Sequence, residues 1–291
     1  MSITERLANL SIPTVIITIV VLLALRYILL KQRTPVAKSV AELAESLAVA
    51  MGLVFLLIRP FIVQAFFIPS ESMLPTLKIH DHILVNKFIY RFREPKLGDV
   101  VVFKSPPAAN QDGQERDFIK RVIGVPGDIV RITPGYVTIG GVQYNHKDLE
   151  SMLRGYGPPG GEGHVKLTNG RVLVDGRLVT ESELAAAADE PNAKVKVVPG
   201  VVYLNGKPLK ESYTAEDPDM PYPLPRTNQE WIVIAKDKEL AVKIPKGKLL
   251  VMGDNRNDSN DARFWGLLDR ERVLGKAMFI FWPPNRIRWV H

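Results

Sequence analysis

Ser72 sits in the segment Phe67-Ile68-Pro69-Ser70-Glu71-Ser72-Met73-Leu74-Pro75-Thr76, between two prolines. Irregular backbone of this kind can present a hydroxyl, but serine becomes a useful nucleophile only beside a base. The histidines are His80, His82, His146, His164 and His291, and none lies in an evident catalytic setting. The absence of cysteine excludes disulfides, thiolate catalysis and Cys-based zinc sites. Lysine is the remaining base. Lys120 lies in Phe118-Ile119-Lys120-Arg121-Val122-Ile123-Gly124-Val125, an apolar run that reads as a strand. Free lysine is roughly 0.04% neutral at pH 7. Burial that lowers its pKa to ~8 raises this to about 10%, at a cost of about 3 kcal/mol. Strand alternation puts Lys120 and Arg121 on opposite faces, and arginine cannot act as base. Taken singly, Ser72 also reads as a turn residue and Lys120 as an edge-strand lysine facing solvent.

Two other polar clusters invite a metal. His80-Asp81-His82 has no further ligand cluster near it in the sequence and reads as an exposed polar strand start. Met252 to Gly266 is dense in Asp and Asn. A calcium loop of the helix–loop–helix type starting at Asp254 needs glycine at its sixth position and glutamate at its twelfth, where Ser259 and Trp265 stand. A turn braced by side-chain hydrogen bonds and an Asp–Arg pair fits better. No metal and no cofactor are expected.

The elements that position these residues begin with two apolar stretches. Ile12 to Leu30 is a 19-residue run interrupted by Arg26, long enough to span a hydrocarbon core. The second, taken as 47–68, is broken by Arg59-Pro60 and Gln64. It is expected to kink at the proline and to leave the membrane at its interface, or else to be a re-entrant or surface-lying helix, which makes one or two transmembrane helices in all. The segment 31–46 between them carries Lys31, Arg33 and Lys38, whereas the tail before residue 12 has only Arg6, offset by Glu5. Positive residues stay on the cytoplasmic side, so everything after Ile68 is expected outside.

From Ser70 onward the pattern becomes mainly β. Strands are expected at Ile83–Val85, Val100–Phe103, Ile119–Val125, Ile129–Ile132, Trp231–Ile234, Leu249–Met252 and Met278–Trp282, with turns at Leu97-Gly98-Asp99 and Pro126-Gly127-Asp128. Glu181 to Asp189 suggests one short helix. Residues 69–134 and 241–291 are read as one β-domain, with 135–240 as an inserted β-domain. The insert has three two-residue hairpin signals: Gly140-Gly141, Asp175-Gly176 and Asn205-Gly206. Gly155 to Gly163 reads as a flexible loop.

Net charge is +7, but residues 70–291 hold 32 of the 38 Lys/Arg and 28 of the 31 Asp/Glu. No dense basic run with interleaved aromatics appears, which argues against nucleic acid. A mild positive excess suits an anionic bilayer better.

Four segments together resemble the bacterial type I signal peptidases, also called leader peptidases. They are Ser72-Met73-x-Pro75-Thr76, Gly98 to Phe103, Lys120-Arg121-Val122-Ile123-Gly124-x-Pro126-Gly127-Asp128, and Gly253-Asp254-Asn255-Arg256-x-x-Ser259-x-Asp261-x-Arg263, in the family's order behind an anchor. The resemblance implies a signal-peptidase-like β-sheet fold in the bacterial inner membrane, with the catalytic domain on the extracytoplasmic side. It implies cleavage of exported preproteins after an Ala-x-Ala type site. Ser72 would attack and Lys120 would act as base. The Ser72 N–H and Ser70 hydroxyl would form an oxyanion hole. Ser259 would hydrogen-bond Lys120, with Asp261 and Arg263 bracing the loop. Ile68, Pro69, Met73, Leu77, Phe118 and Ile119 would line shallow substrate pockets. Phe118 stands where many relatives have tyrosine, and Ala262 where the family usually has serine. A specialised relative with a dedicated substrate and an inactive membrane-anchored assembly module remain open.

Overall fold

The computed structural model describes residues 11–32, 34–58, 63–224, 229–235 and 237–291. Helix α1 (Ile12–Leu30) starts where the Ser11 side chain accepts from the Thr14 N–H. Helix α2 (Pro35–Gly52) starts at a Thr34 cap, with proline in its first turn, where a missing N–H costs nothing. It continues as one wider helical stretch, Leu53–Ile58. Ala37, Ala41, Ala44 and Ala48 repeat at helical spacing and are buried, and they let α2 pack closely on α1. Arg26 of α1 pairs with Glu45 of α2 at 2.9 Å. Both helices are long and apolar enough to cross a membrane.

The second apolar element therefore lies earlier than 47–68. It begins at Pro35, which shortens the expected 31–46 loop, and Val63–Phe67 is a β-strand. Lys38, Ser39, Glu42, Glu45 and Ser46 interrupt the apolar residues at the start of α2, so the hydropathy reading missed it before residue 47, although its alanines are strong helix formers. The apolar tail of the run belongs to a sheet instead.

That sheet holds the site. Its early strands are β1 (Val63–Phe67), β2 (His82–Asn86), β3 (Val100–Lys104) and β4 (Asp117–Gly124). The middle of the chain supplies β5 (Ile129–Thr133), β6 (Tyr136–Ile139), β7 (Val142–Tyr144), β8 (Val165–Thr168), β9 (Arg171–Val174), β10 (Arg177–Val179), β11 (Val195–Val198), β12 (Val201–Leu204), β13 (Lys207–Pro208), β14 (Ile232–Ile234) and β15 (Leu240–Lys243). The end of the chain adds β16 (Lys248–Met252), β17 (Leu268–Asp269), β18 (Val273–Trp282) and β19 (Arg288–Trp289). The main sheet runs β1-β2-β18-β3-β4-β16-β17, with β19 on β18. Neighbours along this order pair antiparallel. The middle strand β3 is covered on both faces, which is why it reads Val-Val-Val-Phe without polar alternation. Val101 and Phe103 face one core and Val100 and Val102 the other.

The expected 135–240 insert divides. A five-stranded sheet, β13-β12-β5-β15-β14, sends Val130, Ile132, Val202 and Val242 into the same core as Val101 and Met252. The hairpin at Asn205-Gly206 thus belongs with the main body. A separate core lies within residues 137–195, formed by β6–β11 with α3 (His146–Met152) and α4 (Glu181–Ala187). Both helices start with a reciprocal capping box, Asn145 with Asp148 and Thr180 with Glu183. All three expected hairpins form, and Asn169-Gly170 makes a fourth; all eight turn residues have positive φ, as this turn type requires. Gly155–Gly163 is tied down rather than free. The Asp175 carboxylate accepts from the N–H groups of Gly163 and His164 at 2.7 and 3.1 Å.

Asp81, expected exposed, is fully buried and held by Arg286 through bonds of 2.6 and 2.8 Å. Removing one partner of such a pair strands a buried charge. Arg286→Ala should destabilise the protein by about 3 kcal/mol, read from the midpoint of a urea unfolding curve.

Candidate active site

Strand β1 delivers the chain into an irregular loop. The Ile68 N–H donates to the Asp81 carbonyl at 2.9 Å, and the Leu77 N–H to the Met73 carbonyl at 2.8 Å. Ile68, Met73 and Leu77 are buried, so the loop is anchored by its side chains. Ser72 is held between them and is 8% exposed. Lys120 comes from β4, opposite Val101 on β3, and is 5% exposed. Its Nζ donates to Ser72 Oγ at 2.7 Å, and Ser70 Oγ lies 3.4 Å from the same oxygen. The Phe118 ring centre is 5.6 Å from Nζ.

Burial is the main reason that the Lys120 pKa falls from 10.5 to about 8. Asp261 and Asp254 pull it back up, and Arg263 pushes it down again. The amine is therefore partly neutral near pH 7. In that form the contact reverses, and the Ser72 O–H donates to the nitrogen lone pair.

The chain after β16 closes over this pair. Gly253 presses on the serine loop: a Cβ there would lie 2.4 Å from both the Ser72 carbonyl oxygen and Ser259 Oγ. The Asn255 N–H donates to the Ser72 carbonyl at 3.1 Å, and its side chain to the Glu71 carbonyl at 3.3 Å. Two buried ion pairs brace the loop. Arg121 grips Asp254 through Nε and Nη2, each at 2.7 Å, and also donates to the Gly98 carbonyl at 2.9 Å. Thr76 Oγ1 donates to Asp254 as well. Arg263 grips Asp261 through Nε and Nη2, each at 2.9 Å. Burial alone would raise the Asp261 carboxyl, but Arg263 and the Gly253 N–H outweigh it and hold its pKa below the usual range. Arg256 donates to the Gly253 carbonyl at 3.1 Å and pairs with Glu211.

Of the residues expected here, Ser72, Lys120 and Ser70 converge, and Asp261 pairs with Arg263. Ser259 is buried, but its hydroxyl makes no hydrogen bond to Lys120; it packs on Gly253. Ile68, Met73, Leu77 and Ile119 do share one cluster, yet Ile68, Met73 and Leu77 are 0–2% exposed and back the site rather than line an open pocket. Phe118 faces the other core, and Pro69 is exposed. Sequence reading missed the Arg121–Asp254 grip, because Arg121 was weighed only as a base. It also missed Asn255 and Glu211. Among the described residues no group of three or more His, Cys, Asp or Glu is placed to hold a metal ion.

A mainly β body with a buried serine hydroxyl against a partly neutral lysine, joined to two apolar helices, has the parts of a serine hydrolase. A family model, "Signal peptidase, peptidase S26", matches residues 40–157 and 191–282. Signal peptidase I of Leptolyngbya laminosa is 30% identical over 259 residues, covering 88% of this chain and 85% of that protein. Signal peptidase I of Aquifex aeolicus is 35% identical over 238 residues, covering 79% and 80%. A solved signal peptidase I from Enterococcus faecalis V583 aligns with 63% of this chain and 97% of its own, at 19% identity and a TM-score of 0.23, too low to bear on the fold. The chain belongs to the signal peptidase family, peptidase S26, and is a serine endopeptidase. The family model leaves 158–190 unmatched, the stretch that holds β8–β10 and α4.

The lowered Lys120 pKa has a stability consequence. Below pH 8 the folded state carries a buried ammonium. Between about 8 and 10.5 the unfolded chain binds the proton more tightly, so stability rises with pH across that window. Lys120→Met should end activity yet raise stability at pH 7 by about 1–3 kcal/mol in urea unfolding. Gly253→Ala should displace the serine loop and lower kcat/KM on the order of 100-fold in a peptide cleavage assay.

Proposed function

We propose that the chain removes N-terminal signal peptides from exported preproteins after an Ala-x-Ala type site. The observation that carries this reading is the 2.7 Å contact between Lys120 Nζ and Ser72 Oγ, in a site dry enough to lower the lysine pKa to about 8. In the first step neutral Lys120 takes the Ser72 proton as Oγ attacks the scissile carbonyl. Lys120 then gives that proton to the leaving amine. A water, activated by the lysine, hydrolyses the acyl-serine and restores both groups. The Ser72 N–H and the Ser70 hydroxyl face the developing oxyanion, where each donor contributes about 3 kcal/mol. Asp261 and Arg263 hold the roof of the site. Ile68, Met73, Leu77 and Ile119 supply a filled apolar floor that leaves room only for small substrate side chains.

The two helices α1 and α2 serve as membrane spans, with Lys31, Arg33 and Lys38 kept on the cytoplasmic side of the bacterial inner membrane. The sheet body then works on the extracytoplasmic face, beside anionic lipid, where the apolar part of a signal peptide leaves the bilayer. The body comprises 63–134 and 201–291, with 136–198 as an inserted unit. That unit's own core, partly outside the family match, favours a second reading in which the enzyme serves a dedicated set of substrates.

The test uses the full chain in detergent with a mixed set of preproteins and an Ala-x-Ala peptide. Cleavage should vanish in Ser72→Ala and Lys120→Ala and persist with chelators. The rate should climb about tenfold between pH 7 and 9, following the neutral fraction of a lysine titrating near 8. Full activity in Lys120→Ala would sink the dyad, and processing of only one preprotein class would select the dedicated reading.

A further inference from the structure

Asn255 lies next to the charged pair Asp254–Arg121 but belongs to none of the loop's ion pairs. It is 3% exposed. Its backbone N–H donates to the Ser72 carbonyl at 3.1 Å, and its side-chain Nδ2 to the Glu71 carbonyl at 3.3 Å. One residue thus holds the two carbonyls on either side of the Ser72 Cα. The Glu71 carbonyl shares a planar peptide unit with the Ser72 N–H, and this bond is not among the cis peptides of the chain. In a trans unit the C=O and N–H point in opposite directions. Fixing the Glu71 oxygen therefore fixes the direction of the Ser72 N–H. The amide orientation follows from chemistry: turning it over would set Oδ1 against a carbonyl oxygen, two acceptors with no proton between them.

Asn255 Oδ1 is buried with no hydrogen-bond partner. An apolar side chain of the same shape would avoid that orphaned acceptor, so packing does not explain an amide here. The Nδ2–Glu71 bond does.

We propose that Asn255 is a positioning residue that sets the plane of the Glu71–Ser72 peptide and so aims the Ser72 N–H at the oxyanion. This rests on the assignment of Ser72 as nucleophile and oxyanion donor. Asn255 touches neither Ser72 Oγ nor Lys120 Nζ, so it acts on the transition state and leaves the proton transfer alone. Its backbone N–H survives any substitution. The side-chain bond is the part that can be removed.

The experiment compares the wild type, Asn255→Leu and Asn255→Ala as full chains in detergent, cleaving an Ala-x-Ala peptide. Asn255→Leu keeps the heavy-atom count and branching of the side chain, with somewhat larger bulk, and removes the donor and the orphaned acceptor; Asn255→Ala removes them without added bulk. The kcat of Asn255→Leu should fall roughly 10- to 100-fold, less than the roughly 100- to 1,000-fold that follows outright removal of an oxyanion donor because the Ser72 N–H is misaimed rather than lost, with KM changed less than about threefold. The midpoint of its pH–rate profile should stay near that of the wild type. A peptide boronate, which forms a tetrahedral adduct on serine, should lose affinity by the same factor as kcat/KM. A substrate peptide should bind Ser72→Ala and Ser72→Ala/Asn255→Leu equally. Unchanged kcat, a loss confined to KM, unchanged boronate affinity, or failure of both variants to fold would overturn the proposal. An active Ser72→Ala enzyme would instead overturn the nucleophile assignment, a separate result.

Discussion

The structure turns on keeping one amine dry. Lys120 can take a proton at neutral pH only because it is nearly removed from water, and burial is the leading cause of its lowered pKa. The same burial opposes the folded state whenever the lysine is charged. Much of what surrounds it reads as a response to that conflict. Strand β4 is central enough to be covered on both sides. Phe118 stands near Nζ without a hydroxyl to hydrogen-bond it. The carboxylates of Asp254 and Asp261 are each tied to an arginine, so neither is left as the sole partner of the ammonium. A bare carboxylate there would keep the lysine protonated.

Those two ion pairs also solve a construction problem. The loop from Gly253 to Arg263 is irregular and has little apolar surface of its own. Buried charges are poor sources of net stability, but they are demanding about geometry. Arg121 reaches from the strand that carries Lys120, so this loop and the lysine share one rigid support. Gly253 lets the roof lie against the serine loop at a distance that any side chain would forbid. The outcome is a serine whose backbone is fixed on both sides before any substrate arrives.

The sequence announced the parts of this arrangement more readily than their contacts. Ser72, Ser70 and Lys120 were legible from ordered motifs, and the Asp261–Arg263 pair from their spacing in a polar turn. The β-hairpins were legible wherever two residues with a taste for positive φ stood together, although Asn169-Gly170 was passed over. The grip of Arg121 on Asp254 spans 133 residues, and no local pattern signals a contact of that range. Ser259 illustrates the reverse difficulty: the right residue type stands at the expected position, but its hydroxyl packs against a glycine. The second helix was misplaced because Lys38, Glu42 and Glu45 make its first turns read as a polar loop, whereas Glu45 is paired with Arg26 of α1. The insert was drawn too wide because alternation marks a strand without saying which core the strand will join.

The junction between α2 and the sheet carries a further consequence. The described part of the helical stretch reaches Ile58, and the next described residue, Val63, begins β1. Five residue steps extend at most about 18 Å. If α2 lies in the bilayer, as proposed, Ser72 is held to the membrane surface on a short leash. Enzyme and substrate then meet by lateral diffusion in a thin layer, and the relevant concentration is a surface density rather than a molarity. Under the proposed function, a cleavage point held deeper or farther out than the leash allows would be spared whatever its sequence, and depth in the membrane would join side-chain size in setting specificity.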